Sequence, residues 1–531
     1  MDRDSVLLVV HGMGETSEGS TVQRTVKPLV KLMKRRSDPD DVEVVGGTAN
    51  TPRHTDIRYT GNGNASEIRV TEFWWAQSFN PAGILTFVFW IAWRVVRHLI
   101  RIASMYRRRL IDDQDREIEN RFEFRPAEQT RLAALTSGAK LRWIQKLAVI
   151  VQYLLLLGVV IPFTILSPVI IPALAILSII PGTKQATTPI KEFFNNLIIG
   201  SLADIWVIVE DRSQSRAIRD SLVTQIKDLA AEHGSRPIVL FAHSTGNLIV
   251  YDALAQLREE ANMLPVNPRF SAVENGRANH AIQQLRTWVS IGSILTMDWK
   301  TGVVRGNNQT WRRNIPERMS WVNLWSRYDI ATGSELYRPA GATELERGPV
   351  NRRVVNFGSM ALDHTGFWEN EEEVFLVLLD ELGGRRPEND FWRQANDVSQ
   401  ISEQEELDIR SRRRYTPLLM ITNAIAWLSI PAGAAIAGIT PSFASKLTNN
   451  LGLTSLADFF NFGWISQIVN EGPTAGFGER LLFTAIIALI WFVLVYLVWY
   501  FVIKVAIFGT MMRIERNRSA RRFLASKTTN I

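Results

Sequence analysis

The chain of 531 residues contains no cysteine. That excludes disulfides, a cysteine nucleophile and thiolate metal sites. The absence also fits a cytoplasmic setting. Histidine is scarce, with 7 in the whole chain. None stands in a metal-ligand spacing such as His-x-x-x-His, so neither a metal site nor a cofactor is expected. A phosphate loop is missing too, because no Lys-Ser or Lys-Thr follows the glycine-containing turn at His11-Gly12-Met13-Gly14. The N-terminus has no apolar leader and runs directly into a charged, then core-strand pattern, so no cleavable signal peptide is expected ahead of Val6.

What is present is concentrated at one place. Residues 237–251 read PIVLFAHSTGNLIVY. An apolar, β-branched run ends at Ser244, Gly246 follows two residues on, and a helical pattern starts at once. That is a strand, a sharp bend and a helix, with a hydroxyl at the apex. The sequence departs from Gly-x-Ser-x-Gly where Ala242 replaces the first glycine, and alanine is the next smallest residue. The plainer reading makes Ser244 a helix cap. The strand before it and the helix after it favour a nucleophile.

A serine hydroxyl needs a base, and the base needs an acid that holds its tautomer. In elbow folds the chain order is serine, acid, histidine. Only His280 and His364 lie beyond Ser244. His280 sits in a polar stretch that reads as a surface loop or helix start. His364 follows the strand-like run at residues 353–357 and precedes a helix expected near Asn370, where a base should hang. For the acid, Asp329 follows the buried-strand run at residues 321–325, and Asp298 follows the strand at residues 287–291. Both stay open, with Asp329 preferred. Asp252 lies on the nucleophile's own helix, and Asp363 reads as a solvated loop residue.

Acyl transfer also needs donors for a developing oxyanion. The apolar strand at residues 6–10 leads into Gly12 and Met13, and glycine allows close backbone approach. The amides of Met13 and Thr245 are the candidate donors. The strand-HGMG start, the AHSTG elbow, the Asp329 loop and the His364 loop resemble the α/β-hydrolase superfamily. Within it they are most similar to lipase-like serine esterases that include the PGAP1-like group. The segment Val70 to Ala76, a strand ending in aromatics, resembles bacterial members of that set. The resemblance implies hydrolysis of an ester, thioester or amide and fixes no substrate. It does not extend to the apolar blocks.

Those blocks are the second signal. Leu147 to Ile180 holds no charged residue and is broken by Pro162, Pro168 and Pro172. It is long enough for one tilted span, whereas its prolines favour a broken helix or re-entrant hairpin. Leu418 to Ile439 and Leu481 to Ile503 each read as a crossing helix, the latter with Trp491, Tyr496, Trp499 and Tyr500 suited to the headgroup level. Ala82 to Ile102 is apolar first and then carries Arg94, Arg97 and Arg101, which reads as an interfacial helix, with a full span as the alternative. Placing the arginine-rich flanks at 105–146, 385–414 and after 513 in the cytoplasm puts the catalytic pieces there as well, given that the 147–180 region returns to its starting side. The net charge of +7 belongs to those flanks, so anionic lipid rather than nucleic acid is the expected partner.

The expected fold is therefore α/β: a doubly wound, mostly parallel sheet of the α/β-hydrolase kind with helical membrane-embedded segments. Residues 1–76 and 196–385 form the sheet domain, 77–195 a membrane-associated insertion, 386–416 a charged linker, 417–512 a membrane hairpin and 513–531 a basic tail. The expected activity is that of a membrane-anchored serine hydrolase acting on a lipid or lipid-like acyl ester. Alternatives are a thioesterase or amidase, or a non-catalytic scaffold that keeps a hydrolase-shaped domain. A transporter is disfavoured, since the apolar blocks offer almost no ionisable residue for a pathway.

Overall fold

Val6, Leu7, Leu8, Val9 and Val10 are all fully buried. A strand with solvent on one face would alternate, so an unbroken apolar run demands cover on both faces. This run is β1 (Ser5–Val10), and it lies inside an eight-stranded sheet of order β2-β3-β4-β1-β5-β6-β7-β8. The computed structural model describes residues 4–12, 17–46, 54–60, 66–75, 143, 146–154, 207–208, 210–262, 268–297, 315–329, 336, 349–356, 363–383, 412, 415–424, 426, 495 and 498–510.

The remaining strands are β2 (Val42–Val45), β3 (His54–Tyr59), β4 (Ser66–Phe73), β5 (Ile238–His243), β6 (Leu285–Ile291), β7 (Ser320–Ser326) and β8 (Val350–Val354). From β4 through β1 to β8 every pairing is parallel. Only β3 runs against the others, pairing antiparallel with β2 and β4 at one end of the sheet. The sheet is mostly parallel, as expected from consecutive strand-helix units.

Two-residue periodicity sorts the core into two layers. Val6, Leu8, Val10, Leu240 and Trp288 pack toward α2 (Arg212–His233), α3 (Gly246–Asn262) and α4 (Pro268–Gln284). Leu7, Val9, Phe241, Val289 and Leu324 pack on the other side, toward α1 (Ser20–Arg36) and α5 (Leu376–Gly383). Helices on both faces make the sheet doubly wound. The Asp211 carboxylate caps α2 by accepting from the Ser213 and Gln214 amides at 3.0 Å each. The start of α1 is held from a distance. Glu72 on β4 accepts from the Thr21 amide at 3.2 Å and from the Gly19 amide, which supplies the capping carboxylate that the helix's own sequence lacks.

The chain divides into two compact units. One is Met1–Arg142 with Gly158–Arg412, which holds the sheet, and the other is Trp143–Leu157 with Arg413–Ile531. In the second unit Trp499 opens a π-helical stretch (Trp499–Phe508) and donates from Nε1 to Thr422 Oγ1 at 3.1 Å. Among the described residues no helix is long and apolar enough to cross a membrane. The block Ala82 to Ile102 lies outside the described residues, as do most of Leu147 to Ile180, Leu418 to Ile439 and Leu481 to Ile503.

Candidate active site

Parallel strands end at one edge of the sheet, and the loops that leave there meet. β1 delivers Gly12, β5 delivers Ser244, β6 delivers Gly292, β7 delivers Asp329 and β8 leads to His364. The site follows from that topology before any side chain is considered.

Ser244 has φ of 55° and is the sole non-glycine among the described residues with a positive φ. That left-handed backbone is disfavoured for a residue with a Cβ, at about 1–2 kcal/mol. The neighbours hold it there. The Ser244 amide donates to Ile291 O at 3.1 Å, and the Asn247 side-chain amide donates to Ser244 O at 3.2 Å and to Ile291 O at 3.1 Å. Glycine is required on two sides. A Cβ on Gly12 would stand 2.6 Å from Ser244 Cβ, and one on Gly246 would stand 2.6 Å from His11 O and 2.7 Å from Val10 O. Ala242 occupies the position of the missing first glycine and is fully buried without strain of backbone sign.

His364 stands between the two other groups. Its Nε2 is 2.8 Å from Ser244 Oγ, and its Nδ1 is 2.8 Å from Asp329 Oδ2. Since a carboxylate only accepts, Nδ1 carries the proton and Nε2 is left to accept from the serine hydroxyl. Ser244 and Asp329 are fully buried and His364 is 9% exposed. Thr245, the residue after the serine, is also fully buried. The rival acid Asp298 and the oxyanion candidate Met13 lie outside the described residues. His280 is distant in role. It sits within α4 rather than in a loop, and its Nε2 is 3.1 Å from Ala230 O.

Several residues that shape the site carry no motif. Gly292 has φ of 52°, and a Cβ there would come within 3.1 Å of His364 Cε1 and of the Phe367 ring. The imidazole therefore occupies space that only glycine leaves. His243 precedes the serine and lies under His364, with ring centroids 4.7 Å apart. Its Nε2 donates to His364 O at 2.9 Å. Burial, then the neighbouring His364, push its pKa down to about 3, so it is neutral. His11 is also held neutral, with a pKa lowered by burial to about 4. Its Nε2 accepts from the Trp75 amide at 3.3 Å, Nδ1 donates to Gly12 O at 2.8 Å, and its ring stacks on Trp75. No motif in the sequence marks either histidine as neutral.

The loop that bears His364 is cross-braced. Asn356 Nδ2 donates to Asp363 O at 3.0 Å, and Asn370 Nδ2 donates to Asn356 Oδ1 at 3.0 Å and to Val355 O at 3.3 Å. Asp363 corrects an expectation. It is fully buried rather than solvated, because this brace pulls its backbone inward.

A family model described as an alpha/beta hydrolase of unknown function (DUF900) matches residues 199–285. The match spans α2, the elbow strand β5, α3 and α4. The sheet and the match together support the α/β-hydrolase superfamily. No curated protein and no solved structure matches the chain. The three converging side chains follow one another along the chain as Ser244, Asp329 and His364. Among the described residues no cluster of His, Asp and Glu is arranged to hold a metal ion.

Proposed function

We propose that the chain is a serine hydrolase that cleaves an acyl ester through an acyl-enzyme. The observation that carries this reading is the pair of 2.8 Å contacts that place His364 between Ser244 Oγ and Asp329 Oδ2. Ser244 Oγ attacks the acyl carbonyl while His364 Nε2 takes its proton. The Asp329 carboxylate, buried against Nδ1, stabilises the imidazolium so formed. The imidazolium then protonates the leaving alcohol as the tetrahedral intermediate collapses. Water, deprotonated by His364, releases the acid and restores Ser244. Gly12 lets the backbone approach the substrate, and the Thr245 and Met13 amides are the proposed oxyanion donors.

The proposed substrate is a lipid or lipid-like ester, and the proposed setting is a membrane with the catalytic unit on its cytoplasmic side. Support comes from the apolar blocks and their arginine-rich flanks, and from apolar side chains exposed on the second unit. Trp143, Leu147, Ile150 and Leu154 follow helical spacing and are all exposed, Trp143 by 73%. The proposed kinship is with the lipase-like esterases that include the PGAP1-like group. A thioester or amide would meet the same nucleophile.

Purified protein assayed against long-chain lipid esters, short-chain esters, acyl thioesters and amides, beside Ser244→Ala, tests the reading. The expected result is ester hydrolysis lost in Ser244→Ala, with long acyl chains preferred. Hydrolysis that survives Ser244→Ala contradicts the assigned nucleophile, and a preference for thioesters moves the substrate class.

A further inference from the structure

We propose that Arg412, the last residue of the sheet-bearing unit, is a positioning residue for the His364 loop. This rests on the hydrolase reading above. In sequence Arg412 belongs to a stretch of like charges that suggests a solvated linker. In the structure it is partly buried, with its guanidinium split between two acceptors. Nη1 donates to Asn370 Oδ1 at 2.8 Å, and Nη2 pairs with Glu372 Oε2 at 2.7 Å. Glu372 also lies 3.4 Å from Arg35 on α1, and Glu371 pairs with Lys31 on the same helix at 2.7 Å. Arg412 thus closes an ionic clasp that already ties the turn at Glu371–Phe375 to α1.

The consequence runs inward from Asn370. A guanidinium donates and never accepts, so the atom of Asn370 facing Arg412 must be the carbonyl oxygen. That oxygen also accepts from the Glu373 amide at 3.2 Å. The Asn370 amide nitrogen is then turned toward Val355 O and Asn356 Oδ1. This turns the Asn356 nitrogen toward Asp363 O, the carbonyl directly before His364. On the next peptide, His364 O accepts from His243 Nε2. The two carbonyls that flank the His364 backbone are therefore gripped from opposite sides, one by the elbow strand and one by a relay that ends on Arg412. Asn370 and Asn356 are fully buried, so every polar group in the relay depends on its neighbour for a partner.

Arg412 is on this account a clamp on the general base. A change of position at His364 of a fraction of an ångström alters the line from Ser244 Oγ through Nε2, which affects turnover more than substrate binding.

The test uses the full-length chain in detergent with p-nitrophenyl butyrate as substrate, for wild type, Ser244→Ala, Arg412→Gln and Arg412→Lys. Thermal midpoints are recorded for each. In Arg412→Gln, kcat is expected to fall by about 10- to 100-fold while KM stays within about twofold. Arg412→Lys, which keeps the charge but reaches one acceptor at a time, is expected to recover part of the loss. A folded Arg412→Gln protein with wild-type kcat overturns the proposal while leaving the hydrolase reading intact. So does a fall that merely tracks the folded fraction, or one that appears in KM alone. Wild-type protein as inactive as Ser244→Ala sinks the hydrolase reading, and this inference with it.

Discussion

Gly292 and His364 share one volume: a β-carbon on the glycine would stand 3.1 Å from Cε1 of the imidazole and 3.2 Å from Nδ1. The glycine also has φ of 52°, and its amide donates to Leu324 O at 3.2 Å, which ties the bend after β6 to β7. Gly292→Ala is expected to displace His364 and to cost about 1–2 kcal/mol of stability from the backbone sign alone. Turnover should fall by at least about tenfold, because the base moves off the line to Ser244. Activity equal to wild type, with an unchanged unfolding midpoint, would show that the loop has room to spare.

Asp329 is separable from its rival by substitution. Asp329→Asn removes the charge that stabilises the imidazolium and offers the wrong partner to Nδ1. A loss of about 10⁴-fold in kcat is expected, with little change in fold. Asp298→Asn is expected to leave kcat within about twofold. The opposite pattern would make Asp298 the acid.

The elbow tolerates little added volume. Gly246→Ala directs a methyl group into the carbonyls of Val10, at the end of β1, and His11, just after it, which are backbone atoms and cannot rotate away. The expected cost is about 1–3 kcal/mol, seen as a lower midpoint in urea, together with lost activity. Ala242→Gly is expected to be nearly silent in turnover, since Ala242 already fits. A stable, active Gly246→Ala protein would mean that β1 and α3 can separate.

Two buried histidines predict acid sensitivity. Unfolded, each takes a proton as pH falls below about 6.5; folded, His11 resists until about 4 and His243 until about 3. The unfolded chain therefore binds more protons in that window, and folding stability drops as pH falls through it. Between neutral pH and pH 5 the two sites together should cost several kcal/mol, roughly 2 kcal/mol each. Above neutral pH they contribute no slope. Urea unfolding across this range should show the decline, and His243→Gln should remove about half of it. A flat stability profile down to pH 5 would mean that protonated imidazoles are accommodated.

Much of this site is legible in the sequence, for identifiable reasons. A parallel strand buried on both faces is an apolar run, so β1, β5 and β7 stand out, and the residues just beyond them are placed by topology. The scarcity of histidine beyond Ser244 then leaves only His280 and His364 as candidate bases, whereas chain order leaves both Asp298 and Asp329 open as the acid. The supporting residues are not legible, because their roles depend on three-dimensional proximity rather than spacing. Gly292 looks like any glycine after a strand, and its function is to leave room for a side chain that lies far along the chain. No spacing or motif shows that burial keeps His243, at the end of β5, and His11, just beyond β1, neutral. Asp363 reads as solvated because an aspartate in a polar loop usually is, whereas the Asn356 and Asn370 brace draws it inside. Arg412 sits in a basic run whose neighbours suggest solvent.

The central claim is that Ser244 is activated by His364. Intact-mass and peptide mass spectrometry after treatment with a fluorophosphonate tests it most directly. The account predicts a single adduct on the peptide bearing Ser244, absent from Ser244→Ala and strongly slowed in His364→Ala. An unlabelled wild-type chain, or an adduct that forms at the same rate without His364, would contradict it.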